Sequence, residues 1–325
     1  MTTKIAFSDF WQKFEPETHF LFTLLNENFE VELVLPNENP DILIYSIFGD
    51  QHLFINAKIK VFYTGENDVP DFNKCDYAIS FQHLSFGPRH LRLPLFATYD
   101  SYQQLRQQPH QAGSFDRDFC SFVVSNGHCC DPIRTEFFEK LSKYKKVSSG
   151  GKYANNIGGP VDDKFEFLRK FKFNIAFENS MVDGYTTEKI VDAFLCRTVP
   201  IYWGNPRINL DFPNDCYIDV NSFKNINDAI EYIIKIDNNQ SLYSGFFKTN
   251  PIENNSYIEW EEAYIDFFRY IIEKKQQYRT NHGYYGIRRD KEIIKERLYR
   301  ISTVREHIGR FEQLDRILPK YFKKR

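Results

Sequence analysis

The stretch Phe173–Pro206, FNIAFENSMVDGYTTEKIVDAFLCRTVPIYWGNP, constrains this chain more than any other. Within about one βαβ unit it holds a strand, a polar loop, a helix start at Glu188–Lys189 and a second strand. Parallel α/β sheets bind ligands outside the carboxyl ends of their strands, where helix N-termini offer N–H donors to anions. Here a buried strand empties into Glu178–Asn179 and a loop empties into a helix N-terminus, so the segment reads as a ligand mouth. Lys189 adds a full positive charge that suits a phosphate. Glu188 beside it suits a sugar hydroxyl. The combination to test is a nucleotide joined to a sugar.

The rest of the chain gives that mouth a setting. At 325 residues there is room for two domains of ordinary size. In the first third, apolar runs at Lys4–Phe7, Val31–Leu35, Asp41–Phe48, Ile59–Tyr63 and Tyr77–Phe81 read as strands, with a helical pattern over Glu17–Phe29. Gln103–Asp118 is polar and Gln-rich, with Pro109 and Gly113, and reads as a connector. A second α/β set follows: strand Phe119–Ser125, helix Asp131–Tyr144, glycine turns at Gly150–Gly151 and Gly158–Gly159, strand Phe173–Phe177, helix Thr187–Cys196 and strand Val199–Trp203. Asn227–Ile236 and Glu259–Lys274 read as further helices. In Thr187–Cys196 the residues Ile190, Val191, Phe194 and Leu195 share one face, which is expected to pack on a sheet. Two α/β domains joined by a connector imply a cleft.

Several side chains stand where chemistry could use them. Arg134 opens the helix after SFVVSN, with Pro132 near its first turn, and faces the same sheet edge as Lys189. Two cations at neighbouring helix starts neutralise a diphosphate without a metal; the plain alternative for Arg134 is a surface pair with Glu136 or Glu139. Asn179, Asp183, Gly184 and Tyr185 can hydrogen-bond a ligand, let backbone approach closely and stack on a base or sugar. Glu66, in FYTGEN, lies just past a first-domain strand, where a general base facing the cleft would stand; the alternative is a turn acid after Gly65. Asp162–Asp163 precede a helix, so N-capping explains them better than a metal-holding D-x-D pair. The six cysteines show no C-x-x-C or zinc spacing and suit a reducing compartment. With a net charge of −2 there is no basic field for nucleic acid.

With these residues assembled, the sequence resembles the α1,3-fucosyltransferase family, most closely its bacterial members that build Lewis-type antigens. Phe173–Pro206 carries the resemblance, supported by VFYTGEN (Val61–Asn67), DYAISF…RHLRLPL (Asp76–Leu95) and SFVVSN…PIR (Ser121–Arg134). The resemblance implies an α/β chain of GT-B type, two Rossmann-like domains facing across a cleft: residues 1–115 for the acceptor and 116–275 for GDP-β-L-fucose. It gives Arg134 and Lys189 to the pyrophosphate, Glu188 and Tyr185 to the ribose and donor sugar, Asn179 to the phosphate side, and Glu66 to the acceptor's 3-hydroxyl as base. It implies an inverting transfer to GlcNAc in N-acetyllactosamine-type acceptors, as in lipopolysaccharide glycans of Lewis x type. No metal or cofactor is required on this reading, and stimulation by Mn²⁺ stays open. So do two alternatives, a transferase of the same fold with another nucleotide sugar and a non-catalytic nucleotide-sugar or glycan-binding protein.

Residues 276–325 form a tail of another kind. From Ile287 it is rich in Lys and Arg, with apolar Ile294, Ile301, Val304, Ile308, Phe311 and Leu318 at three- and four-residue steps, the pattern of a basic amphipathic helix. Such a helix either lies on an anionic membrane face or packs on the enzyme or a second copy, so a homodimer stays open. The N-terminus lacks the apolar core of a signal peptide, and no stretch reaches membrane-spanning length. A cytoplasmic protein, peripheral on the membrane at most, is the expectation.

Overall fold

The computed structural model of the chain describes residues 2–125, 130–253 and 259–279. Short runs rich in Ile, Val, Phe and Tyr, closed by Asn, Asp, Gly or Pro, become strands, and apolar residues at helical spacing become the helices that cover them. The first half contains β1 (Thr3–Ser8), α1 (Phe20–Asn28), β2 (Val31–Leu33), β3 (Ile42–Tyr45), β4 (Ile59–Tyr63), β5 (Tyr77–Ser80), β6 (His90–Arg92) and α2 (Asp100–Gln107). Then come β7 (Asp118–Phe122), α3 (Ile133–Ser142), β8 (Val147–Ser149), α4 (Lys164–Leu168), β9 (Phe171–Phe177), α5 (Glu188–Leu195) and β10 (Val199–Trp203). The last described elements are β11 (Ile218–Asp219), α6 (Ile226–Asp237), α7 (Gln240–Gly245) and α8 (Trp260–Lys274).

These strands build two sheets, in the orders β2-β1-β3-β4-β5-β6 and β11-β10-β9-β7-β8, with every pairing parallel. Ranked within its own sheet, and with the second sheet read from β8, each runs second, first, third, fourth, fifth, with β6 as a sixth strand in the first. The order therefore reverses between β1 and β3 in one sheet and between β7 and β9 in the other. Such a switch point splays the connecting loops apart and leaves a crevice at the strand ends. All residues of β3, β4, β5, β9 and β10 are buried, as expected where helices cover both faces of a parallel sheet.

The carboxyl ends of the two sheets meet each other. Asn67, just after β4, donates from Nδ2 to Ser180 Oγ at 2.8 Å. The backbone N–H of Phe96 donates to the carbonyl of Thr186 at 3.1 Å. Arg92 at the end of β6 reaches both oxygens of buried Asp211, at 3.0 and 3.2 Å. Two Rossmann-like sheets facing one another through their strand ends make a GT-B arrangement.

Two sequence readings are corrected here, and a third, the packing of α5 on its sheet, holds and is extended. The connector does not begin at Gln103, because Gln103–Gln107 completes α2. Gln is a good helix former, and Tyr102 and Leu105, three apart, give this otherwise polar helix a buried edge. α5 buries Asp192 and Ala193 as well as the four residues expected to share its inner face. It is enclosed rather than amphipathic, since α2 covers it, with Tyr102, Leu105, Phe194 and Leu195 in one apolar cluster. Finally, α8 packs on the first sheet although it follows the second. Tyr264 donates to the Leu21 carbonyl of α1 at 2.6 Å, and Phe267 meets Tyr77 of β5 edge-on. With α2 leaning on the second sheet and α8 returning to the first, one continuous core spans both.

After α8 the chain runs to the amino-terminal end of the first sheet. The backbone N–H groups of Tyr278 and Arg279 donate to fully buried Asp76, and Arg279 also reaches the carbonyls of Ala57 and Lys58. The amphipathic pattern from Ile287 onward lies outside the described residues. Among the described residues no helix is long and apolar enough to cross a membrane.

Candidate active site

The crevice at the second switch point is bridged by Arg134 and Asn179. Arg134 rises from the first turn of α3 after β7, and Asn179 follows β9; Arg134 Nη1 donates to Asn179 Oδ1 at 2.7 Å. The backbone repeats the link, since Asp131 N–H donates to the Asn179 carbonyl at 2.8 Å. Arg134 is only 2% exposed, and its Nε has no partner among the described residues. The surface pair with Glu136 or Glu139 considered for it is not seen among the described residues: Arg134 is buried, and Glu136 bonds Lys140. A buried guanidinium with a donor to spare, held by a neutral amide, keeps its charge for an anion.

Lys189 stands on the first turn of α5, and a residue that sequence reasoning left without a role holds it there. Glu178 is fully buried and accepts from Thr187 N–H at 2.7 Å, from Thr187 Oγ1 at 2.8 Å and from Lys189 Nζ at 3.0 Å. Lys189 also donates to Thr187 Oγ1 at 2.8 Å, closing a triangle. Thr187 sits at the N-cap of α5, yet its side chain makes no capping bond. It is used to orient the Glu–Lys pair. Burial pushes the Glu178 carboxyl up, against the pull of Lys189. Burial would lower Lys189, but Glu178 and Glu188 outweigh it and hold the ammonium protonated. Glu188, with Lys189 Nζ at 3.7 Å, is pushed up by burial and pulled further down by Lys189 and Lys164. The signal for Glu178 was present in the sequence: a carboxylate follows directly on the mostly apolar run FNIAF.

The loop between β9 and α5 divides its labour differently from the expectation. Tyr185 is 4% exposed and meets Phe81 of the opposite sheet edge-on at 5.2 Å, so its ring is no open stacking surface. Its phenol lies among the charges of Glu178, Glu66, Glu188 and Arg134, with burial raising its pKa most. Asp183 is occupied by Arg207, which donates to it through Nε and Nη2. Gly184 does permit close backbone approach, but to the other sheet rather than to a ligand. At φ +78°, a Cβ there would lie 2.4 Å from the Phe81 carbonyl oxygen. Its N–H donates to Asn205 Oδ1 at 2.8 Å; fully buried Asn205 also bonds Thr186 and Asp211. Gly184→Ala is therefore expected to lower stability by about 1–3 kcal/mol through strain and a forced parting of the sheets. Gly65→Ala, with open space at its Cβ, should leave the melting temperature unchanged in the same thermal unfolding series.

Glu66 lies three residues past β4, exposed, with its backbone N–H bonded to Thr64 Oγ1 at 3.0 Å. It lines a cavity of about 300 Å³ whose other walls are mainly aromatic. Its neighbour Asn67 makes the bond to Ser180, which adjoins Asn179. A carboxylate from one sheet and two cations from the other thus border the same crevice. Asp163, weighed as a metal ligand, caps α4 by accepting from Glu166 N–H at 2.9 Å.

Known proteins resemble this chain in sequence and fold. Residues 5–99 match the family model of the alpha-(1,3)-fucosyltransferase FucT N-terminal domain, and residues 116–285 match that of the glycosyltransferase family 10 (fucosyltransferase) C-terminal region. The alpha-(1,3)-fucosyltransferase FucT of Helicobacter pylori is 33% identical, aligned over 86% of this chain and 67% of its own length. The GDP-fucose protein O-fucosyltransferase 3 of Xenopus tropicalis is 29% identical over 60% of this chain and 48% of its own length. A crystal structure of an alpha1,3-fucosyltransferase with GDP-fucose superposes with a TM-score of 0.74 and 31% identity, covering 86% of this chain and 92% of that one.

Proposed function

The chain belongs to the glycosyltransferase family 10 fucosyltransferases, and from that premise we propose that it is an inverting α1,3-fucosyltransferase. It moves L-fucose from GDP-β-L-fucose to the 3-hydroxyl of GlcNAc in N-acetyllactosamine-type acceptors, giving Lewis x type products of the kind carried on lipopolysaccharide. The observation that carries this reading is the Arg134–Asn179 bridge across the switch point, with Lys189 one loop away. The likeness to an α1,3-fucosyltransferase solved with GDP-fucose supports the choice of donor.

The reaction is a single displacement. Glu66 takes the proton of the acceptor hydroxyl as its oxygen bonds the anomeric carbon, and the bond from that carbon to the β-phosphate oxygen breaks on the opposite face. The electron pair leaves with GDP. Arg134 and Lys189 stabilise the charge that grows on the leaving diphosphate, so the residues present supply what a divalent ion would otherwise add. Asn179 fixes the Arg134 fork, Glu178 fixes Lys189, and Glu188 and the Tyr185 hydroxyl meet the ribose and fucose. The finer reading is of a cytoplasmic enzyme whose basic residues 287–325 bring it to an anionic membrane face.

Purified full-length chain incubated with GDP-fucose and a type-2 lactosamine should release GDP and add one deoxyhexose in α1,3 linkage to GlcNAc. Turnover should persist in a chelator, with added Mn²⁺ changing it modestly. Product from GDP-mannose or a UDP-sugar and none from GDP-fucose would overturn the donor assignment.

A further inference from the structure

Right-handed crossovers put α1 on one face of the first sheet and the links β3–β4, β4–β5 and β5–β6 on the other. Among the described residues those three links hold only loops and short turns, with no α-helix. On the α1 side, Ile44 and Val61 share a cluster with Leu25 of α1 and Phe268 of α8. On the other side, Leu43, Phe62 and Ala78 are covered by Val34, Ile47, Ile55 and Phe72, all from loops. That loop layer leaves apolar surface in water. Phe54, beside Ile55, is 69% exposed, and Leu35, beside Val34, is 64% exposed. Phe86, stacked on Phe72 at 4.2 Å, is 45% exposed. One exposed apolar side chain is ordinary; three over a face without a helix mark a docking surface.

The chain itself comes round to this face. Tyr278 still meets Tyr77 of the core under α8, edge-on at 5.6 Å. One residue later, Arg279 donates to the Ala57 carbonyl at 2.7 Å, and Ala57 belongs to the loop-covered side. Arg89 lies over the rings of Tyr278, Phe72 and Phe86, so exposed Phe86 adjoins the point of exit. Residues 280–286 then lead to Ile287, a reach of at most about 25 Å. From there Ile294, Ile301, Val304 and Ile308 recur at three-, four- and seven-residue steps. A helix over 287–318 would run about 48 Å, enough to cross six strands spanning about 25 Å. Charge favours the same match. Residues 287–325 hold thirteen Lys and Arg against six Asp and Glu, so of the chain's net −2 they carry +7 and the rest −9.

We infer that residues 287–318 dock as an amphipathic helix on the loop-covered face of the first sheet, with their apolar stripe over Leu35, Phe54 and Phe86. The helix supplies the layer that a parallel sheet needs on its second face. Its Lys and Arg side chains then point outward. An anionic surface is met by charge alone, while the apolar stripe stays on the protein. This docking is independent of donor and acceptor chemistry.

Limited trypsin digestion of the full-length chain reads the docking, because Lys and Arg crowd the segment. Phe54→Asp should speed cleavage within 287–318 by about tenfold or more, and Leu35→Asp should act in the same direction. Ile301→Asp combined with Val304→Asp should do the same from the other partner. Adding Phe54→Asp to that pair should change little further, since one shared contact is already lost. Leu210→Asp, at a 54% exposed residue of the second half, should leave the rate unchanged. Equally fast cleavage in the unaltered chain and in Phe54→Asp overturns the docking. Protection that appears only with anionic vesicles overturns it by making the membrane the occupant. Protection that disappears on dilution, as light scattering shows a dimer dissociating, overturns it in favour of a second copy.

Discussion

Glu66→Gln is expected to lower fucosyl transfer by about 10²- to 10⁴-fold, the usual contribution of a positioned general base, while GDP binds as it does to the unaltered chain. The substitution keeps shape and removes only the basic oxygen. Glu66 is exposed on the first sheet's side of the crevice and is held by no ion pair among the described residues. Among the described residues nothing therefore competes for its carboxylate. The groups assigned to the diphosphate, Arg134 and Lys189, stand on α3 and α5 of the other sheet. Binding and proton removal are divided between sheets, so they should separate in a kinetic and calorimetric comparison. Turnover within tenfold of the unaltered enzyme, or a matching loss of GDP affinity, would remove Glu66 from the role of base.

How much of this could be seen in the sequence depends on the length of the interactions. β4 and β10 begin and end where their apolar runs do, at Ile59–Tyr63 and Val199–Trp203, because a parallel strand buried on both faces announces itself by composition. β6, β8 and β11 were not read, since two or three residues such as His90–Arg92 or Val147–Ser149 carry no pattern. The places of Arg134, Asn179 and Lys189 after strands were legible from local order. Their partners were not. The bond from Arg134 to Asn179 spans 45 positions, and that from Arg92 to Asp211 spans 119. Nor does anything in the sequence of α8 say that it returns to the first sheet; only the complementary surface on α1 and β5 decides that. The ring contact of Tyr185 was hidden for the same reason, because Phe81, which meets it edge-on, lies in the other half of the chain.

The Glu178–Lys189 pair separates donor binding from stability, and the second large effect is expected there. Arg134→Ala and Lys189→Met should each lower turnover by about 10²- to 10³-fold and weaken GDP-fucose binding, as removal of a cation from a developing charge does. The two variants should differ in stability. Arg134 bonds a neutral amide, so its removal leaves no buried charge behind. Lys189 is the ion-pair partner of a carboxylate that is fully buried, and its loss strands that carboxylate. Breaking a buried pair from one side costs about 3 kcal/mol or more, so Lys189→Met should unfold at a markedly lower temperature. Adding Glu178→Gln to Lys189→Met removes the stranded charge and keeps an oxygen that can accept from the Thr187 N–H. The double variant should therefore regain most of the lost stability and none of the donor affinity. If donor affinity returned along with the melting temperature, Lys189 would be a strut of the fold and the diphosphate would have to rest on other groups.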